Sequence, residues 1–285
     1  MTSAGAGAWV VQAPDIATVP LKQLAKLVGA SCIEALGRAD AQAFRLAPAG
    51  NTGEAAAFCA SLAFDFGYVP PDRRLDRVRL VAMDMDSTLI TIECVDEIAG
   101  QLGIKEWVAA ITESAMRGEI DFRETLTRRV ALLAGLDSSA LQRVYDERLT
   151  LSPGAERMLA GFRKVGARTL LVSGGFTFFT ERLKSRLGLD YTCASTLELA
   201  DGRLTGRIEG NIVDAQVKAD RFRSLRDELA GDDGLTVAIG DGANDLPMLA
   251  NADVSIAYRA KPVVRARTTH AIDHCGLDAA LNLFV

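Results

Sequence analysis

Val78-Arg79-Leu80-Val81-Ala82-Met83-Asp84-Met85-Asp86-Ser87-Thr88 runs from a short, mostly apolar segment straight into two carboxylates and two hydroxyls. An apolar run of that length reads as a strand buried on both faces, the kind found in parallel sheets covered by helices. In such sheets the ligand crevice lies beyond the carboxyl ends of the strands. Asp84 and Asp86 are therefore expected to meet a ligand rather than the core. Residues two apart in extended chain project to the same side, which predicts that both carboxylates face one site. The Asp-x-Asp pattern by itself also occurs in many turns, so its meaning depends on its surroundings.

Downstream, short apolar runs recur at Thr169–Val172, Leu235–Ile239 and Val254–Ile256, with helical patterns between them. This alternation predicts an α/β fold, a Rossmann-like doubly wound parallel sheet. Two segments interrupt it. Asp96 to about Thr150 holds several helical stretches and no strand, and reads as a helical cap inserted at about 94–150. Asp190 to Val213 carries Asp201-Gly202 between two alternating runs, a hairpin signal. Upstream, Trp9–Gln12, Cys32–Leu36 and Gln42–Leu46 read as strands, and Leu21–Val28 and Glu54–Phe66 as helices. The order β-α-β-β-α predicts a small α+β domain over residues 1–75. Val69-Pro70-Pro71-Asp72-Arg73-Arg74 is the linker, and residues 76–285 form the second domain.

The chain has 285 residues, enough for two domains. At 49% hydrophobic and 24% charged it can bury a core, which excludes a disordered chain. A net charge of −5 argues against a nucleic-acid or anionic-membrane surface. The five cysteines, Cys32, Cys59, Cys94, Cys193 and Cys275, are odd in number and scattered, so reduced thiols are expected. With no signal-like start and no apolar run near the ~18 residues of a membrane span, a soluble cytoplasmic protein is expected.

Three further motifs sit at strand ends or helix starts. Val172-Ser173-Gly174-Gly175 offers a hydroxyl and close-approaching backbone N–H groups, suited to an anion; an ordinary strand-to-helix turn looks the same. Lys218 lies on a helical pattern, where a solitary lysine is usually only solvated. Gly240-Asp241-Gly242-Ala243-Asn244-Asp245 offers oxygen donors of the kind Mg²⁺ prefers, or a structural turn rich in Asn and Asp.

Taken together and in order, the motifs resemble the haloacid dehalogenase-like superfamily over about Val78 to Val285. Asp84 to Leu89 followed by Glu93-Cys94-Val95-Asp96-Glu97-Ile98, Ala115-Met116-Arg117-Gly118, Phe122 and Arg128-Arg129-Val130 resembles the phosphoserine phosphatase family within it. That resemblance implies an Mg²⁺-dependent enzyme that hydrolyses O-phospho-L-serine, the last step of serine biosynthesis. It implies Asp84 as nucleophile, Asp86 as general acid and base, and Ser173, Gly174 and Lys218 as phosphate holders. The metal would be held by Asp84, the Asp86 carbonyl and Asp241, with Asn244 and Asp245 in support. Glu93 would meet the substrate ammonium, Arg129 its carboxylate, and Met116 and Phe122 would form an apolar wall; Arg128 is the alternative to Arg129. A phosphotransferase or a phosphatase for another small phosphorylated metabolite would share the catalytic residues. An amino-acid sensor with a vestigial site would be expected to lack one of Asp84, Asp86, Lys218 or Asp241, and all are present. His270 and His274 flank a strand-like piece, which breaks the helical spacing a metal pair would need. The first region resembles the ACT modules by order of elements alone, which implies an amino-acid site or a homodimer contact.

Overall fold

The computed structural model describes residues 7–50, 53–116 and 119–285, without the side chains of residues 115 and 116. Its first sheet comprises β1 (Ala8–Ala13), β2 (Cys32–Leu36), β3 (Gln42–Ala47) and β4 (Asp65–Val69), in the antiparallel order β2-β3-β1-β4. Between them run α1 (Thr18–Leu27) and α2 (Gly53–Ser61). Leu21, Leu24 and Ala25 give α1 a buried stripe at helical spacing. The order β-α-β-β-α-β is the split βαβ arrangement.

β4 is an element the sequence reading missed, because its Asp65 and Phe66 fall within Glu54–Phe66, the run read as a helix. The helix stops at Ser61, and Ala63 takes a left-handed φ of 55°. Asp65, Gly67 and Val69 then turn inward while Phe66 and Tyr68 are half-buried, which is strand alternation. The apolar spacing up to Phe66 satisfies both periods; the backbone break at Ala63 decides between them.

The second sheet starts at the quoted stretch, β5 (Val78–Met83). Four cap helices follow: α3 (Cys94–Gln101), α4 (Lys105–Met116), α5 (Phe122–Ala131) and α6 (Ser139–Glu147). Then come α7 (Ala155–Lys164), β6 (Arg168–Phe176), α8 (Thr177–Leu187), β7 (Tyr191–Ala200) and β8 (Arg203–Glu209). The chain ends with α9 (Ala215–Leu229), β9 (Leu235–Gly240), α10 (Leu246–Leu249), β10 (Val254–Tyr258), α11 (Pro262–Arg265) and β11 (His270–Ile272). The sheet order is β11-β10-β9-β5-β6-β7-β8, parallel except for the edge strand β8, which forms the expected hairpin through Asp201-Gly202.

Successive β5 residues serve two cores. Val81 and Met83 join the layer of Phe162, Leu171 and Phe179, whereas Leu80 and Ala82 join that of Leu170, Val172 and Phe222. A strand covered on both faces must be apolar throughout, which is why this one reads as a continuous run. The connections from β5 first build outward to β6 and later return to β9 on its other side. The sheet therefore changes direction at β5, where a crevice opens beyond the strand ends.

The two sheets are tied together by the end of the chain. Arg38 donates to the carbonyls of Leu281 (3.2 Å) and Phe284 (2.9 Å), and Arg45 to that of Phe284 (2.9 Å). Asp65 accepts the backbone N–H groups of Asp273 (2.8 Å), His274 (3.1 Å) and Cys275 (2.8 Å).

Candidate active site

β5 delivers Asp84 to the switch point. The chain then turns tightly rather than continuing extended: Asp86 has φ −67° and ψ 136°, and Ser87 is left-handed at φ 56°. The expected shared face is thus produced by a turn, closed by Leu89 N–H to Asp84 O (3.3 Å) and Ile90 N–H to Met85 O (3.0 Å). Both carboxylates line one cavity of about 500 Å³ between the sheet and the cap.

Lys218, fully buried on α9, donates to Asp84 Oδ1 (2.7 Å) and Asp245 Oδ1 (2.8 Å). Burial opposes its charged form, but the Asp245 and Asp84 carboxylates outweigh that and raise its pKa. Burial and the Asp245 charge push Asp84 well above the usual carboxylate range, against the pull of Lys218. Asp86 is also raised by burial, while it accepts the Cys94 N–H (2.8 Å) and the Ser173 hydroxyl (3.3 Å). Ser173 Oγ in turn accepts the Gly175 N–H (2.8 Å). Asp241, held by the Thr88 hydroxyl (3.0 Å), is pushed up to about 6 by burial and then by Asp245.

Asp84, Asp241 and Asp245 bring one oxygen each within 4.8 Å of the others. This oxygen-only set fits a hard divalent cation. Burial and the neighbouring Asp245 charge hold Asp84 and Asp241 above their ordinary range, a repulsion that a bound cation would relieve. The carboxylate of Asp86 points elsewhere, to Cys94 and Ser173, and Asp245 is the third acid of the cluster.

The cap supplies the rim. Glu93, at the mouth, accepts the Ser87 hydroxyl (2.8 Å); burial by the surrounding walls and the Asp86 charge push it up to about 7. Arg129, on α5, lines the same cavity and is paired with Asp96 (2.5 Å); its Nε is buried without a partner among the described residues. Arg128 instead pairs with Glu124 on the exposed side of α5 (2.5 Å), so of the two arginines Arg129 is the one that lines the cavity. The Phe122 ring crosses to the sheet side and covers Gly174, where a Cβ would lie 2.7 Å from it. Gly174 and Asn244 also line the cavity, while Ser173 and Lys218 lie beneath it. The Met116 side chain is outside the described residues.

Thr88, Asp96 and Lys261 are the site residues that sequence reasoning did not single out. Thr88 stood inside the quoted motif, but nothing in the sequence pairs it with Asp241. Lys261 follows the carboxyl end of β10, so the strand-end rule that found Asp84 and Asp241 also points to it.

The profile of the haloacid dehalogenase-like hydrolases matches residues 81–250. A profile for a domain of unknown function (DUF4072) matches residues 10–56. The chain is 50% identical over 218 residues to the phosphoserine phosphatase of Polaromonas sp., covering 75% of this chain and 92% of that one. The crystal structure of a probable phosphoserine phosphatase from Vibrio cholerae superposes with a TM-score of 0.81 at 33% identity, over 97% of this chain and 85% of that one. A haloacid dehalogenase family hydrolase from Salmonella enterica serovar Typhi superposes with a TM-score of 0.87 at 34% identity, over 98% of each chain.

Proposed function

Because the chain belongs to the haloacid dehalogenase-like hydrolase family, in the branch of the phosphoserine phosphatases, we propose that it hydrolyses O-phospho-L-serine to L-serine and phosphate. The observation that carries this reading is a single cavity with a nucleophile-type carboxylate on its floor and one acid and one guanidinium, Glu93 and Arg129, on its rim. Phosphoserine carries an ammonium and a carboxylate besides its phosphate, and an arginine can grip a carboxylate through two parallel hydrogen bonds.

In the proposed reaction Asp84 attacks phosphorus and the bond to the seryl oxygen breaks. Asp86 gives that oxygen its proton, a task suited to a carboxyl whose burial favours the protonated form. Water then attacks phosphorus, Asp86 takes its proton, and Asp84 is released with free phosphate. Lys218 holds Asp84 in place and, with Ser173 and the Gly174 N–H, faces the phosphate oxygens. Asp84, Asp241 and the Asp86 carbonyl would hold Mg²⁺, with Asp245 and Asn244 in support. The ion would supply the positive charge that offsets carboxylate–phosphate repulsion. The Phe122 ring and the cap helices exclude water from the seryl side.

The test is phosphate release from a panel of phosphorylated metabolites, with Mg²⁺ and after chelation. Phosphoserine should lead the panel and chelation should silence it. Preference for a phosphate lacking both ammonium and carboxylate would overturn the substrate assignment. Transfer to an added alcohol in preference to water would identify a phosphotransferase.

A further inference from the structure

A second cavity, of about 590 Å³, lies away from the first, between the first sheet and the β10–β11 edge of the second. We propose that it binds a small organic carboxylate with an apolar body. One wall is apolar, with Trp9, Phe64, Phe66 and Tyr68, backed by Ala60 of α2. Arg73 and His270 line the same cavity, with the His270 ring packed against Gly67.

The charges there are unevenly matched. Asp65 is committed to three backbone N–H groups, and Asp273 to Arg265 at 2.7 Å. Arg73 has no carboxylate within 4 Å among the described residues; its side-chain partner is the imidazole of His270, at 3.1 Å. The tautomer follows from the chain of bonds. Thr269 Oγ1 spends its own hydrogen on the Ser255 carbonyl (2.8 Å), so it accepts from His270 Nδ1 (3.0 Å). Nε2 is then the acceptor for Arg73. The ring is neutral, since burial and the Arg73 charge push it down to about 3. Gly67 makes room for it: a Cβ there would lie 2.3 Å from the ring.

Arg73 is thus half-buried and oriented by a group that gives it no counter-charge. Asp72 and Asp253 act on it only at a distance; a partly desolvated guanidinium that no carboxylate touches is costly, and its remaining N–H groups form a fork suited to a carboxylate. The volume lies within the range of small-molecule sites. Aromatic walls beside Arg73, the lining arginine that no carboxylate touches among the described residues, select a ligand with an acid at one end and a ring or branched chain at the other.

Trp9 reports on the cavity, and Trp107, exposed on the cap, is removed by Trp107→Phe. In that full-length chain, titration with phenylacetate should change Trp9 emission saturably. Phenylacetamide, which lacks the charge, should bind at least about tenfold more weakly. Arg73→Gln should weaken phenylacetate by a similar factor with phosphatase activity unchanged. Ala60→Phe, which fills the cavity and leaves the charge, should abolish the signal. No saturable change, equal binding of acid and amide, binding untouched in both variants, or displacement of the probe by phosphoserine would each overturn the proposal. None of these outcomes depends on what the catalytic cavity hydrolyses.

Discussion

The floor and the rim of the catalytic cavity are built in different ways. On the floor, Lys218 is shared between Asp84 and Asp245, Ser173 bridges Asp86 and Gly175, and Thr88 holds Asp241. These groups come from different strands and loops and are mostly out of reach of water. On the rim, Glu93 leans on one hydroxyl and Arg129 on one half-exposed carboxylate, Asp96. A fixed floor suits chemistry that is the same for every phosphate ester. A rim whose partner can be exchanged suits recognition: in the proposed function a substrate carboxylate would take the place of Asp96 on Arg129.

The largest effect should come from the floor. Asp84→Asn should lower phosphoserine hydrolysis by roughly four orders of magnitude or more, because an amide cannot form the acyl-phosphate. Rapid quenching of the parent enzyme with labelled substrate should leave label on Asp84; label on another residue would break the assignment. On the rim, Arg129→Ala should lower kcat/KM for phosphoserine by roughly two to three orders of magnitude, from ~3–4 kcal/mol of lost charged pairing. The same variant should change p-nitrophenyl phosphate turnover by less than about threefold, since that substrate uses only the floor. Equal losses on both substrates, at an unchanged Tm, would erase the contrast between floor and rim.

A smaller effect concerns pH. The Glu93 carboxyl is raised from 4.5 to about 7, so between those values the folded chain keeps a proton that the unfolded chain has released. Stability therefore falls as pH rises through that window, and Glu93 contributes a higher Tm at pH 5 than at pH 8. Calorimetry of the metal-free protein should give a shallower decline for Glu93→Gln; an identical slope would mean the rim carboxyl titrates like a solvated one. The smallest change should be Asp96→Asn. An exposed ion pair is worth about 0.2–1 kcal/mol, so releasing Arg129 should lower KM for phosphoserine roughly two- to fivefold. A raised KM would show that Asp96 aims Arg129 rather than competing for it.

What the sequence made legible was local. Asp84, Ser173 and Asp241 announce themselves because each follows an apolar run in the sequence, although Ser173 proves to lie within β6 and not beyond it. Lys218 gained meaning only as a member of that set, and its burial between Asp84 and Asp245 is a long-range fact that no spacing encodes. Asp96 was quoted in the cap motif, but its pairing with Arg129 depends on how α3 and α5 pack. The strand β4 was hidden because residues up to Phe66 fit a helical period as well as an alternating one, and only the left-handed turn at Ala63 separates the two.

The segment Leu277–Leu283 and the Phe284 that follows it have a consequence for how the two sheets hold together. Leu281, Leu283 and Phe284 are buried, and the carbonyls that Arg38 and Arg45 require belong to Leu281 and Phe284. The first sheet is thereby sealed to the second by carbonyls that lie far along the sequence from either arginine. A chain stopped after Gly276 would carry every catalytic residue and still display an open seam of unpaired guanidinium and apolar surface. One short segment thus acts as a latch for two sheets, and its removal is expected to loosen both together.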